Sequence, residues 1–232
     1  MNLLALDTSS LACSVALQYS RKLYARHEEQ PREHTRLLVP MIRAVLEDAE
    51  AEIGDLDAIV LGNGPGSFIG MRIAASVSQG MAFGAGLKIV PVSSMAGVAA
   101  EVFAENDVAE VVVTQDAHMD EVYLGIYRRD ETGLPFSAVP ERLQKQESIA
   151  ELETASKEQR FAAGFGWQRY PLLLSVNEAN LDGVADVLHP NAQYLLPLGE
   201  EGFRSGQARP PEDVVPAYLR QKVAKRPANA RS

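Results

Sequence analysis

Cysteine is almost missing from this chain. Cys13 is the only one in 232 residues, so neither a disulfide framework nor a multi-cysteine zinc site can be built, which fits a reducing, cytoplasmic setting. Basic charge is also short. Lys and Arg number 22 against 31 Asp and Glu, a net charge of −9, and an acidic body repels phosphate backbones and is no general nucleic-acid binder. The start, Met-Asn-Leu-Leu-Ala-Leu-Asp, has no basic leader region and reads as mature structure. No unbroken apolar run reaches the ~20 residues of a membrane span. The nearest, from Ile73 to Ala100, is interrupted by Lys88, Pro91 and several glycines and reads as buried core.

Several chemistries are missing too. His27, His34, His118 and His189 are scattered without a second ligand at i+4, so no metal site is expected, and each reads as a solvent-facing or turn histidine. There is no Gly-x-Ser-x-Gly nucleophile elbow, no Walker A loop and no Gly-x-Gly-x-x-Gly fingerprint. With 46% hydrophobic and 23% charged residues, the chain has an ordinary globular composition. Its length suits one large or two small domains.

The order of elements suggests a duplicated α/β fold. Asn2–Leu6, Ala12–Tyr19 and Leu23–His27 read as a three-stranded meander. A helix follows, carrying Leu37, Leu38, Met41, Ile42, Val45, Leu46 and Ala49 on one face, with Pro40 expected to bend it. A strand at Leu56–Leu61 leads through Gly62-Asn63-Gly64-Pro65-Gly66-Ser67 into a helix capped by Ser67 and ending near Gly84. Ile89–Val92 is a strand, and Ser93 or Ser94 caps a helix through Ala104.

Sliding the sequence by 109 residues places Asp116 on Asp7 and Val122–Ile126 on Cys13–Leu17, with a hairpin turn at Asp130-Glu131-Thr132-Gly133. The second copy is reduced: a short helix at Ser148–Ala155, a strand at Gln159–Gly164 and a helix at Pro190–Phe203 interrupted by Pro197, with loops between. Two lobes are therefore expected, residues 1–104 and 105–232. The second ends in a basic tail (Arg220, Lys222, Lys225, Arg226, Arg231), whose last residues, Arg226–Ser232, are expected to be disordered.

An Asp at a strand end followed by small hydroxylated residues can hold nucleotide phosphates through a metal-bound water and turn N–H groups. Asp7, Thr8 and Ser9 are the candidates; the alternative is an Asp that caps its own turn. The Gly62–Ser67 loop could cradle an anion or could simply allow close packing. Asp116, Asp120 and Glu121 could bind magnesium or form an acidic hairpin turn. Between Ser67 and Lys88 the only charge is Arg72, and a helix apolar nearly all round should be covered on more than one side, which points to a protein partner. The candidate interface residues are Leu38, Met41, Ile42, Val45, Gly70, Met71, Ala74, Ala75 and Ser78. Ala75→Glu or Met71→Lys is expected to abolish pairing while sparing the fold, provided the side chain faces the partner and not the sheet.

Five stretches together resemble the bacterial TsaB (YeaZ) family over nearly the whole chain: Asp7–Ser10, Gly64–Ile73, Val92–Ser94, Asp116–Tyr123 and Pro216–Arg220. The most specific is Gly64-Pro65-Gly66-Ser67-Phe68 followed by Gly70-Met71-Arg72. Asp116, Glu121 and Tyr123 belong to the pattern as well. Ile69 stands where the family commonly has Thr and His118 where it commonly has Arg, which weakens a hydrogen-bonding role at both positions.

The resemblance implies a two-lobed fold of the actin, sugar-kinase and Hsp70 (ASKHA) type. It also implies a non-catalytic subunit required for threonylcarbamoyladenosine next to the tRNA anticodon. Such a subunit would pair with the catalytic paralogue TsaD through its first two long helices, be joined by the ATPase TsaE, and form a homodimer when alone. It would meet tRNA only through that complex and hold no cofactor in isolation, any ATP or ADP being bound only with its partners. A small-molecule kinase of this fold is the alternative, opposed by the reduced second lobe and the lack of a second glycine-rich adenosine loop. A metallopeptidase would need ligands that the sequence lacks.

Charge alone makes one testable statement. The tail carries +5 and the rest −14, so filter binding of the isolated chain to tRNA near physiological salt is expected to give a Kd of about 1 μM or weaker. A salt-resistant submicromolar complex would contradict it.

Overall fold

The computed structural model describes residues 1–154 and 159–220. Lys222, Lys225, Arg226 and Arg231 of the basic tail, and the last residue of the helix expected at 148–155, lie outside them. The elements run β1 (Leu3–Asp7), β2 (Cys13–Tyr19), β3 (Lys22–Glu28), α1 (His34–Asp48), β4 (Ala58–Gly62), α2 (Phe68–Ala85), β5 (Lys88–Val92) and α3 (Ser94–Glu105). They continue with β6 (Glu110–Asp116), β7 (Glu121–Arg129), β8 (Pro135–Lys145), α4 (Ala150–Thr154), β9 (Arg160–Ala163), α5 (Phe165–Arg169), α6 (Pro171–Asn177), β10 (Gly183–Val184) and α7 (Ala192–Arg204).

Two five-stranded sheets share one topology. The first is ordered β3-β2-β1-β4-β5 and the second β8-β7-β6-β9-β10, each an antiparallel meander extended by two parallel strands. Every residue of β1 and β4 is buried, because strands covered on both faces need apolar side chains at all positions. The second sheet is the reduced one, its β10 only two residues long.

One face of the first sheet carries Leu4, Leu6, Val15, Leu17, Ile59 and Leu61, and packs under α1 and α2. Its other face, with Leu3, Ala5, Ala16, Val60 and Val90, packs under α7. In the second lobe Val112, Leu124, Ile126 and Ala162 meet α4, α5 and α6, while Val111, Val113 and Tyr127 meet α3. The lobes thus exchange helices, α3 lying on the second sheet and α7 on the first. Gly199 of α7 sits so close to β4 that any Cβ there would overlap the Val60 methyls.

The 109-residue repeat is correct in topology and slips by one residue in register. Asp7 pairs with Ser14 across the first hairpin, whereas Asp116 pairs with Val122 across the second, so β6 is displaced by one residue from the 109-residue offset that β7 keeps. Strand side chains alternate with a period of two, and a slip of one changes the face. Asp7 lies on the α7 face with Leu3 and Ala5. Asp116 lies with Val112 on the face under α5 and α6, and Gln115 takes the position matching Asp7.

Two further expectations change. Pro197 does not interrupt α7; it lies inside the helix as Pro40 lies inside α1, and both prolines are solvent-exposed, so the carbonyls they free can be hydrated. The stretch expected as loop after β9 holds α5 and α6, and the sequence marker was Pro171 at the first position of α6. Ile73–Ala100 forms the later part of α2, β5 and the start of α3, and among the described residues no helix is long and apolar enough to cross a membrane.

Where α3 meets α7, Glu101 keeps one carboxylate oxygen buried without a partner. Burial, with Glu105 one turn on, pushes its pKa up to about 7 from 4.5. A folded-state pKa above the unfolded one means stability present below pH 4.5 and lost as pH rises through about 7. Glu101 is partly exposed, so solvent screening reduces the effect. Glu101→Gln is expected to leave stability unchanged at acid pH and to add about 1 kcal/mol at pH 8, read from urea unfolding at several pH values.

Candidate functional site

The turn after β1 is closed by its own chain. Asp7 is 1% exposed; its Oδ1 accepts from the Ser9 N–H at 2.7 Å and the Ser9 hydroxyl at 2.8 Å, and its Oδ2 accepts from the Ser94 hydroxyl at 2.6 Å. Burial raises the Asp7 pKa, opposed by hydrogen bonds from Ser94 and Ser9 and by the nearby His34. The Thr8 hydroxyl donates to the Gly70 carbonyl at 2.6 Å, and the Ser67 N–H to the Ser9 carbonyl at 2.7 Å. Ser94 also accepts from the Gly64 N–H at 2.9 Å, while its own N–H donates to the Gly64 carbonyl.

Glycine is what permits this closure. A Cβ at Gly70 would overlap the Thr8 carbonyl oxygen, and one at Gly66 the Ser9 carbonyl. Gly64–Pro65 is cis, and Ser67 caps α2, accepting from the Gly70 N–H at 3.2 Å. The Gly62–Ser67 loop therefore serves close packing. The Ser9 N–H, the Ser9 hydroxyl and the Thr8 hydroxyl, donors that a phosphate would need, are all engaged inside the chain.

The nine proposed interface positions point inward. Leu38, Met41, Ile42 and Val45 of α1 are each at most 7% exposed, as are Met71, Ala74, Ala75 and Ser78 of α2, and Gly70 is buried against Thr8. Most of them form the first core with the sheet. A stripe at i, i+4 spacing looks alike whether it meets a sheet or a partner, and the sheet takes the most apolar one. Outward lies a second row: Val39 is 47% exposed, Ile69 70% and Phe83 81%, with Ile73, Val77 and Met81 half-buried. Val39, Ile69, Ile73, Val77 and Met81 border two adjoining clefts between α1 and α2, floored by Leu38 and Ile42 and rimmed by Arg43, Glu47 and Arg72.

In the second lobe Asp116 accepts from the Tyr170 hydroxyl and the His118 N–H, both at 2.7 Å, and Glu121 pairs with Arg220 at 2.6 Å. The carboxylates thus have separate partners, and among the described residues no group of three His, Cys, Asp or Glu could hold a metal ion. Phe68 and Arg72 stack with Tyr218, the Arg72 guanidinium lying 3.7 Å from the Phe68 ring centre. Tyr123 is buried, its phenol beside the Arg220 guanidinium. Of the histidines, His34 and His189 are buried rather than solvent-facing; His34 Nε2 donates to the Ser10 carbonyl at 3.0 Å. Sequence reading missed Glu141, which accepts from both the Ser93 hydroxyl and the Tyr127 phenol, joining the start of α3 to the second sheet. No motif marked it.

Paired sheets of one topology with exchanged helices define a two-lobed α/β protein of the actin, sugar-kinase and Hsp70 type. A family model described as tRNA N6-adenosine threonylcarbamoyltransferase (TsaD) matches residues 26–228. The tRNA threonylcarbamoyladenosine biosynthesis protein TsaB of Escherichia coli is 36% identical, the match covering 97% of this chain and 96% of that one. TsaB of Haemophilus influenzae is likewise 36% identical, covering 96% and 95%. YeaZ of Pseudomonas aeruginosa superposes with a TM-score of 0.85 at 34% identity over 94% of this chain and 99% of the other. The chain belongs to the TsaB (YeaZ) family.

Removing the Asp7 carboxylate leaves the Ser9 and Ser94 donors unpaired in a buried site. Asp7→Ala is expected to cost about 2–4 kcal/mol, measured by chemical denaturation.

Proposed function

We propose that this chain is a non-catalytic subunit in the cytoplasmic biosynthesis of threonylcarbamoyladenosine in tRNA, pairing with a catalytic TsaD-type paralogue. The observation that carries the reading is the closed turn: Asp7, Thr8 and Ser9 stand where a nucleotide-binding relative would present its phosphate contacts, and here they bind the chain's own Gly64–Gly70 segment and Ser94. Catalysis would have to come from a partner. The names of the relatives support the pathway, and the match to the TsaD model supports a paralogue that shares the surface.

The face offered to that partner is the outward row of α1 and α2. Its apolar centre of Val39, Ile69, Ile73 and Val77 and its charged rim have the composition of a protein interface, and two helices from a paralogue would complete a four-helix contact. In the absence of the paralogue the same face joins two copies about a two-fold axis. TsaE and tRNA join through the assembled complex, and any ATP or ADP is held there. The kinase reading is opposed by the engagement of the Thr8 and Ser9 donors within the chain, and a metallopeptidase would need a group of metal ligands, which the described residues do not form.

Val77→Glu puts an unpaired charge in the outward row. It is expected to weaken co-purification with the TsaD-type partner about 100-fold or more with unchanged circular dichroism. Ala75→Glu, buried at 4% exposure, is expected to unfold the protein instead. Full pairing by folded Val77→Glu, or ATP turnover by the purified chain that Asp7→Ala removes, would refute the reading.

A further inference from the structure

The motif Pro216–Arg220 contributes nothing to the closed turn or the helix groove, yet its contacts bridge the lobes. After α7 the chain pairs with the edge of the first sheet at Arg209 and Ile89. The Gln79 side-chain amide donates to the Pro211 and Val214 carbonyls at 2.9 and 3.0 Å, and Val214 is buried in the first core. The Asn63 amide donates to the Val215 carbonyl, and the Ala217 N–H returns to the Asn63 carbonyl. The Tyr218 hydroxyl accepts from Arg72 Nε at 2.9 Å. One residue later Leu219 packs against the second core, and the Arg220 guanidinium donates to the Ala117 carbonyl at 3.0 Å, the His118 carbonyl at 3.3 Å and the Glu121 carboxylate at 2.6 Å.

The loop that receives Arg220 is itself under strain. His118, Met119 and Asp120 are three successive non-glycine residues at φ of 60°, 55° and 61°, a conformation that persists only where surrounding contacts impose it. Nη2 of Arg220 alone gathers two loop carbonyls and a carboxylate, at a reach one bond longer than a lysine ammonium has. Without it the Ala117 carbonyl and the Glu121 carboxylate lose this donor, and the loop keeps its internal bonds, from the Glu121 N–H to the His118 carbonyl and from the Ala117 N–H to the Glu121 carbonyl.

We propose that residues 214–220 form an interlobe latch, with Arg220 its bolt: seated on the 117–121 loop it narrows the range of interlobe separations, and released it widens that range within the limits that the exchanged helices α3 and α7 set. The latch also ends beside the docking groove, since Arg72 and Phe68 on the first turns of α2 hold Tyr218. It does not depend on the identity of any partner.

The test uses the full chain with spin labels on the solvent-exposed positions Lys22→Cys and Glu131→Cys, one per lobe, buried Cys13 remaining unlabelled. Arg220→Ala is expected to broaden the interlobe distance distribution and shift it by several Å. Hydrogen exchange is expected to accelerate about tenfold or more at the Glu121 amide and at the Ala217 amide, which donates to Asn63 of the first lobe. Arg220→Lys, which keeps the charge on a shorter side chain, is expected to shift the distances in the same direction by less, and it replaces Arg220→Ala should that variant not fold. Distances superimposable on those of the parent protein, or acceleration at Glu121 alone with Ala217 unchanged, would overturn the proposal.

Discussion

The contact on which the rest depends is the seating of Gly64–Gly70 on the turn after β1. Three hydrogen bonds to Asp7, one from Thr8 to Gly70 and one from Ser67 to Ser9 fix where α2 begins. They also fix its rotation about its own axis. Once Gly70 lies against Thr8, Ala74, Ala75, Ser78 and Ala82 must face inward and Ile69, Ile73 and Val77 outward. Filling a phosphate-type turn and exposing an apolar helix row are thus one structural event. Both need glycine at positions 66 and 70, because a side chain at either would meet backbone oxygen.

Between the lobes the fold uses exchange rather than simple contact. α3 follows the first sheet in sequence and covers the second; α7 follows the second and covers the first. Each lobe therefore needs the other to bury one face of its sheet, and the Glu141 tie to Ser93 and Tyr127 and the strap over Asn63 and Ala117 reinforce a union that the cores already require. The slip of one residue in the second hairpin belongs to the same pattern. It turns Asp116 away from the face that Asp7 occupies and towards Tyr170, so the duplicated strand end serves α6 in one lobe and α3 in the other.

Local chemistry was legible in the residues themselves. The meanders, the Ser67 and Ser93 caps, the amphipathic α1 and the duplication all follow from short-range patterns of apolar alternation, turn residues and capping, each acting within a few residues. The missing ligand spacing and the near-absence of charge between Ser67 and Lys88 were equally plain, and the second was a sound sign that α2 has more apolar surface than one sheet can cover. Tertiary structure alone decided which row of that surface the sheet would take, since periodicity defines a stripe and not its neighbour. It alone decided that Asp7 would turn to Ser94, 87 positions away, that Asp116 would change face, and that Arg220 would reach back to Ala117. Those outcomes depend on contacts between residues far apart in the chain, which no local pattern encodes.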